Sequence, residues 1–238
     1  MRKAKRRRKL FIFGLILLVV GGGIVLYPHI LRLFYEIKTE IMFREFEKKS
    51  ESVQDTDSEK YIRLYQDMKK YNEDLIAGNQ EKLQDPYAYE DPAIRLEEYG
   101  IEDGIAGYIN IPSMGIKLPL YLGANEDNMS KGAAQLTETS MPIGGNNTNM
   151  AVVAHRGYSY AKMFREIEKL KKGDEILITN LWETMTYEVE RIEIISPDEI
   201  NKIRIQDGKD MVTLVTCHPY PHNYQRYLVY CERIQKGE

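Results

Sequence analysis

The chain of 238 residues is poor in the residues that most often build a site unaided. It has two cysteines, four histidines and one tryptophan. So few cysteines leave no room for a disulfide framework of the small secreted kind. No His, Cys and carboxylate spacing of the zinc-binding type occurs, so no metal is expected. Internal repeats and low-complexity tracts are missing too, which sets aside repeat arrays. Long apolar runs are missing but for one. Leu10 to Leu26, and on through Tyr27, is a stretch of about seventeen residues without a charge, at the short end for a membrane-spanning helix. No small-x-small cleavage site precedes Pro28, so the run reads as an uncleaved anchor rather than a signal peptide. No second such run lies near the C-terminus, and a single span is expected.

What is present is charge, unevenly spread. Net charge is −3, but seven of the 33 basic residues lie between Arg2 and Lys9, leaving 26 against 36 acidic residues elsewhere. Because no basic stripe with interleaved aromatics follows, nucleic acid is not expected as a partner. The basic block reads instead as a topology signal: residues 1–9 cytoplasmic, 10–30 in the membrane, the rest outside. Sparse cysteine outside a membrane suits a Gram-positive cell surface, where the sequons at Asn128 and Asn146 carry no meaning. At 43% hydrophobic the chain can bury a core, in one main domain with an appendage.

The appendage is residues 31–104. Leu31 to Lys49 has helical character, with Phe34, Ile37 and Ile41 on one side. Ser50 to Ser58 reads as a linker. From Glu59 a second amphipathic helix carries Tyr61, Tyr65, Met68, Tyr71 and Leu75 on one stripe, with Gly78 to end it. Such a stripe is core packing. Two Asp-Pro steps, at Asp85-Pro86 and Asp91-Pro92, then suggest an ordered surface loop.

From residue 105 to 238 short strands take over: Ile105–Ile111, Ile116–Leu122, Met150–His155, Asp174–Thr179, Met185–Ile195, Met211–Cys217 and Tyr224–Ile234. Helical pieces are expected at Glu126–Gln135, Tyr160–Leu170 and Pro197–Ile203. Gly and Pro punctuation argues for a closed barrel, a mostly β fold.

Chemistry gathers at strand ends. Val212 to Thr216 has strand composition and ends in Cys217, followed by His218-Pro219-Tyr220-Pro221. Arg226 opens the returning strand, so an antiparallel hairpin brings its guanidinium level with the thiol. A fixed cation favours the thiolate, which is the nucleophile. Cys231 falls up the ladder on the opposite face, out of disulfide reach, and reads as a small core residue. Met150 to Ala154 likewise runs as a strand into His155, before Gly157. Read alone, Cys217 is a buried structural cysteine and His155 a satisfied histidine. Read together, two apolar strands each end in a reactive group. If neighbours, they form the Cys–His pair of thiol catalysis, with Arg226 as donor to an oxyanion.

These residues resemble the sortases, cysteine transpeptidases of Gram-positive surfaces. The resemblance rests on Pro142-Ile143-Gly144-Gly145, Ala154-His155-Arg156-Gly157, Met163-Phe164-Arg165-Glu166-Ile167, Lys172-Gly173-Asp174, Tyr187-Glu188-Val189, Thr213-Leu214-Val215-Thr216-Cys217 and Arg226, in the family's order over roughly residues 105–234. It implies an eight-stranded barrel and no cofactor. It further implies that Cys217 cleaves an LPxTG-like sorting signal between Thr and Gly through a thioester. His155 is the implied acid and base, Arg226 positions the signal or stabilises the tetrahedral intermediate, and an amine takes the acyl group. Asp85-Pro86-Tyr87 resembles the lid of class C, the pilin polymerases, with Asp91-Pro92 an alternative register. The implied partners are surface proteins or pilins bearing the signal, and a pilin lysine or peptidoglycan precursor as acceptor. Pilin polymerases usually carry a second, C-terminal membrane helix, absent before Glu238. The loop His218 to Gln225 also departs from the Thr-Pro-Tyr-Gly type, and His218 and His222 read as solvated. A housekeeping sortase, a plain cysteine peptidase and a non-catalytic tethered barrel stay open as alternatives.

Overall fold

Short strands with apolar alternation close on themselves when both sheet edges find partners, and here they do. The computed structural model describes residues 2–55, 59–157 and 161–235. Eight strands follow in chain order: β1 (Ile105–Ile111), β2 (Ile116–Leu122), β3 (Ala133–Gln135), β4 (Thr148–Val153), β5 (Glu175–Thr179), β6 (Thr184–Ile195), β7 (Asp210–His218) and β8 (Gln225–Arg233). They form a closed barrel in the order β1-β2-β3-β4-β7-β8-β6-β5. The joints β2–β3 and β4–β7 are parallel and the others antiparallel.

All eight strands contribute to the interior, among them Ile109, Leu118, Val152, Ile176, Tyr187, Leu214 and Val229. The outer face of β4, β7 and β8 is buried as well. There Ala151, Val153, Val215, Leu228 and Tyr230 pack with Ile195, Ile200, Ile203 and Leu83. Burial on both faces explains why these strands read as unbroken apolar runs rather than alternating ones. The site lies at one end of this covered face.

Three helices accompany the barrel: α1 (Arg2–Asp55), α2 (Glu59–Ala77) and α3 (Glu126–Lys131). Helix α1 is continuous over 54 residues, through Pro28, and about 80 Å long at 1.5 Å per residue. It is the one helix among the described residues long and apolar enough to cross a membrane, and its apolar stretch has no protein against it. Its C-terminal half packs on the barrel instead. Phe43 and Phe46 meet Tyr108 edge-on at 5.0 and 5.4 Å, and the Tyr35 hydroxyl donates to the Lys131 carbonyl.

Several sequence expectations need correction. The linker at 50–58 is helix as far as Asp55, where Glu51 and Gln54 continue α1 as good helix formers, and Ser50 donates to the Leu181 carbonyl; Thr56 to Ser58 lie outside the described residues. Phe34, Ile37 and Ile41 are exposed, and the packed side of α1 carries Tyr35, Thr39, Met42, Phe43 and Phe46. The stripe on α2 holds for Met68 and Leu75, which are buried beside Leu64 and Asn72, and for Tyr61 and Tyr71, which pack partly buried on the core. Tyr65 is instead 38% exposed, edge-on to Trp182.

The helix read over 126–135 stops at Lys131. Ala133–Gln135 is a strand because Leu120 to Leu122 and Val152 to Val153 offer it a ladder on either side, which overrides its local propensity. In the piece read as helix over 160–170, Tyr160 lies outside the described residues and only Ile167–Lys169 makes a 3₁₀ turn. Met163 has a left-handed backbone that interrupts any helix. Its companions Phe164, Ile167 and Leu170 are apolar at helical spacing because they pack into the barrel core.

Candidate active site

Register, fixed by strand pairing, decides which strand ends meet. Cys217 and Arg226 are direct cross-strand partners on β7 and β8, which puts their Cβ atoms about 5 Å apart on one face. On the other side of β7 the parallel ladder with β4 pairs Val153 with Val215. It is extended by Ala154 N–H donating to the Val215 carbonyl at 3.4 Å and by Thr216 Oγ1 donating to the Ala154 carbonyl at 2.7 Å. Two residues further on each strand stand His155 and Cys217. The three residues singled out by sequence thus end three adjacent strands. Gly157, at φ +118°, turns the chain away after His155, and a Cβ there would strike the Arg165 guanidinium.

The loop after α2 covers this place. Asp85 accepts from the Tyr87 N–H at 3.0 Å and so starts a 3₁₀ turn, Pro86–Ala88. The same carboxylate takes a two-pronged bond from Arg226, Nε to Oδ2 at 2.8 Å and Nη2 to Oδ1 at 2.9 Å. Arg226 Nη1 donates to the carbonyls of Asn223 and Gln225 at 2.6 and 3.0 Å. Four of its five N–H donors are thus taken. Of the two Asp-Pro steps, Asp85 is the one on Arg226, whereas the Asp91 carbonyl accepts from Thr137.

The Tyr87 ring meets all three strand ends. It lies 4.8 Å from the Arg226 guanidinium carbon and 6.3 Å from the His155 ring centroid. Its buried hydroxyl lies near the Cys217 thiol and Thr216 without a formed hydrogen bond. Burial pushes the Tyr87 phenol far up. Burial also raises the Cys217 thiol above its ordinary value, against the opposing pull of Tyr87 and Arg226. Burial lowers His155, with Glu126 working the other way. Arg226 loses solvation, but the Asp85 carboxylate more than offsets this and raises it. The covered site therefore holds a neutral thiol and a neutral imidazole.

Other motif residues turn out to hold the barrel. Asp210 accepts from Tyr187 Oη at 2.9 Å, Gly145 N–H at 2.8 Å and Thr148 Oγ1 at 3.2 Å, and pairs with Arg233. Gly144, at φ +61°, leaves room for this hub, since a Cβ would meet Met185, Arg233 and Asp210. Cys231 is fully buried in the interior, and both cysteines are free. His222 stacks on the exposed Tyr224, whereas His218 is not solvated: its ring is held by Arg156. Arg156, Glu168 and Gln80 are contacts that sequence alone does not single out.

Comparison with known proteins agrees with this geometry. The Sortase domain family model matches residues 109–234. The chain is 27% identical over 224 residues to Sortase A of Bacillus anthracis, covering 94% of each chain. Among solved structures it is similar to the pilus-related sortase C of Group B Streptococcus, with a TM-score of 0.71 and 33% identity over 81% of this chain and 97% of that one. It is similar also to sortase C from Clostridium perfringens SM101, with a TM-score of 0.64 and 35% identity over 81% of this chain and 99% of that one. A family match over more than half the chain, joined to this barrel, places the protein in the sortase family of cysteine transpeptidases.

Proposed function

We propose that the chain is a membrane-anchored pilin polymerase whose nucleophile is Cys217 and whose site is closed at rest by a lid. The observation that carries the reading is the two-pronged Asp85–Arg226 pair with Tyr87 laid among Cys217, His155 and Arg226. The pilus-related structures similar to it point the same way. When the lid lifts, solvent and then an LPxTG-like signal replace it. Arg226 exchanges the carboxylate for the scissile carbonyl oxygen, and its developing charge is stabilised by a donor already fixed in place. His155, neutral at rest, takes the Cys217 proton as the sulfur attacks the threonine carbonyl carbon. It returns that proton to the departing glycine amine as the Thr–Gly bond breaks, leaving a thioester. An incoming amine loses a proton to His155, attacks the thioester and releases the thiol.

Residues 1–9 lie on the cytoplasmic side in this reading, 10–30 span the membrane, and the barrel with its lid faces outward. A pilin lysine is the proposed acceptor; the housekeeping reading replaces it with a peptidoglycan amine. The test offers a lid-altered chain, Asp85→Ala with Tyr87→Ala, a labelled LPxTG peptide and either a pilin domain or a cross-bridge peptide. The reading expects an amide product with the pilin lysine and little with the cross-bridge. The reverse preference would make it a housekeeping enzyme. Hydrolysis with neither acceptor captured would make it a peptidase.

A further inference from the structure

Arg156 follows His155 and is almost wholly buried, its side chain 5% exposed. A buried guanidinium is costly to desolvate unless its contacts require it, and an apolar side chain would otherwise serve the core as well. Its contacts are unusual in where they fall. Nη1 lies 2.7 Å from His218 Nδ1 and 3.4 Å from the Cys217 carbonyl oxygen, to which it donates. Nη2 pairs with Glu168 Oε1 at 2.5 Å. The guanidinium carbon stands 5.8 Å from the Tyr227 ring centroid, beside Arg226 on β8. The loop that carries Glu168 also holds the neighbour of Arg156, since Phe164 N–H donates to the His155 carbonyl at 3.0 Å. One side chain thus joins the end of β4, where His155 stands, to the end of β7, where Cys217 stands. Glu168 is half-exposed and fixes the guanidinium from the solvent side.

We infer that Arg156 is a positioning residue for transpeptidation, holding the Cys217–His218 backbone against the His155 strand end, with Glu168 as its anchor. The inference rests on the assignment of Cys217 and His155 proposed above. Lysine cannot replace arginine in this role, because one ammonium cannot reach His218, the Cys217 carbonyl and Glu168 in the fork that guanidinium provides. A neutral His218 ring presents Nδ1 as acceptor to Arg156, which fixes its tautomer and ties the first residue of the following loop.

The test uses the full chain in detergent micelles, in the lid-altered background, with Arg156→Lys, Arg156→Gln, Glu168→Gln and the Arg156→Lys/Glu168→Gln pair. Lys169→Ala, on the exposed side of the same turn, is the control. For Arg156→Lys the expected result is a folded protein with kcat for peptide transfer down ~10–100-fold and KM within about twofold, the mark of lost alignment. Glu168→Gln should lose less, and the pair no more than Arg156→Lys alone, since the two act through one contact. Lys169→Ala should match the parent. An Arg156→Lys enzyme with unchanged kcat, or with a rise in KM alone, overturns the inference. So does Arg156→Gln that melts lower yet turns over at the parent rate well below its melting temperature. Iodoacetamide alkylation of Cys217 supplies a reading independent of any peptide. With Arg156→Gln the pH of half-maximal rate should move up, because a positive charge beside the thiolate has gone. An unmoved profile counts against the inference. If the parent forms no peptide adduct, the proposed function fails, and the alkylation profile alone decides the placing of Arg156.

Discussion

At the scale of single residues, burial favours the neutral forms of the Cys217 thiol and the His155 imidazole. Cys217 is raised chiefly by burial and Asp85 adds to the rise, while Tyr87 and Arg226 oppose it. A thiol raised in the folded state is the more stable protonated, so little thiolate forms at neutral pH and more appears only as pH climbs past the ordinary thiol range. In the proposed opening of the lid, burial, the largest of these effects, goes together with the Asp85 charge and outweighs the loss of the opposing pull of Tyr87. Iodoacetamide should therefore label Cys217 slowly in the wild type at pH 7.5. Asp85→Ala with Tyr87→Ala should label it faster, with the half-rate pH shifted downward. An unchanged profile would mean that the loop does not set the thiol's ionisation. Cys217, His155 and Arg226 were legible because each stands at a strand end beside a turn. Arg156 stands in the motif that carries the resemblance, but its role was not legible, because its partners His218 and Glu168 come from distant parts of the chain. His218 misled for the same reason: a histidine between a cysteine and a proline reads as loop, and its holder lies 62 residues away.

At the scale of elements, the parallel joint between β4 and β7 does the aligning. Thr216 closes it with one buried bond to the Ala154 carbonyl, a residue short of His155. Thr216→Val keeps the shape and deletes that bond, leaving a buried carbonyl without its donor. A stability loss of about 1–3 kcal/mol is expected in denaturant melts, together with slower acylation of Cys217. Loss of stability without loss of rate would show that the joint holds the fold and not the site. The strands with strong apolar runs could be read from sequence to within a few residues. β3 could not: Ala133-Ala134-Gln135 is a strand only because β2 and β4 flank it. The loop over the site could be named from Asp85-Pro86-Tyr87, but its root could not. Gln80 there donates to the Glu138 carbonyl at 2.8 Å and accepts from the Ile205 N–H at 2.8 Å, bridging two barrel loops distant in sequence.

At the scale of the whole molecule, the long helix α1 couples an apolar stretch with no protein partner to a barrel that leans on its other half. Phe46 is 3% exposed there, so the helix beyond the apolar run belongs to the packed core. A soluble chain beginning at residue 31 should keep this packing. One beginning at residue 50 loses Phe43 and Phe46 from Tyr108 and should be less stable by roughly 3–5 kcal/mol, the usual cost of removing a buried phenylalanine. Thermal melting of the two chains measures this directly, and equal melting temperatures would show that residues 31–49 are packed without consequence. Hydropathy located the apolar run. The facing of the helix beyond it was misread because Phe34, Ile37 and Ile41 make the more regular stripe, while the barrel selects the side with aromatic partners.

The central claim is that Cys217 carries the acyl group and that the Asp85–Tyr87 loop restrains it. The most direct measurement follows the acyl-enzyme by mass spectrometry after adding a labelled LPxTG peptide to wild type, Cys217→Ala and the Asp85→Ala/Tyr87→Ala chain. The account predicts an adduct on Cys217 that forms faster in the loop variant, and none in Cys217→Ala. An adduct that persists in Cys217→Ala, or forms no faster with the loop altered, would contradict it.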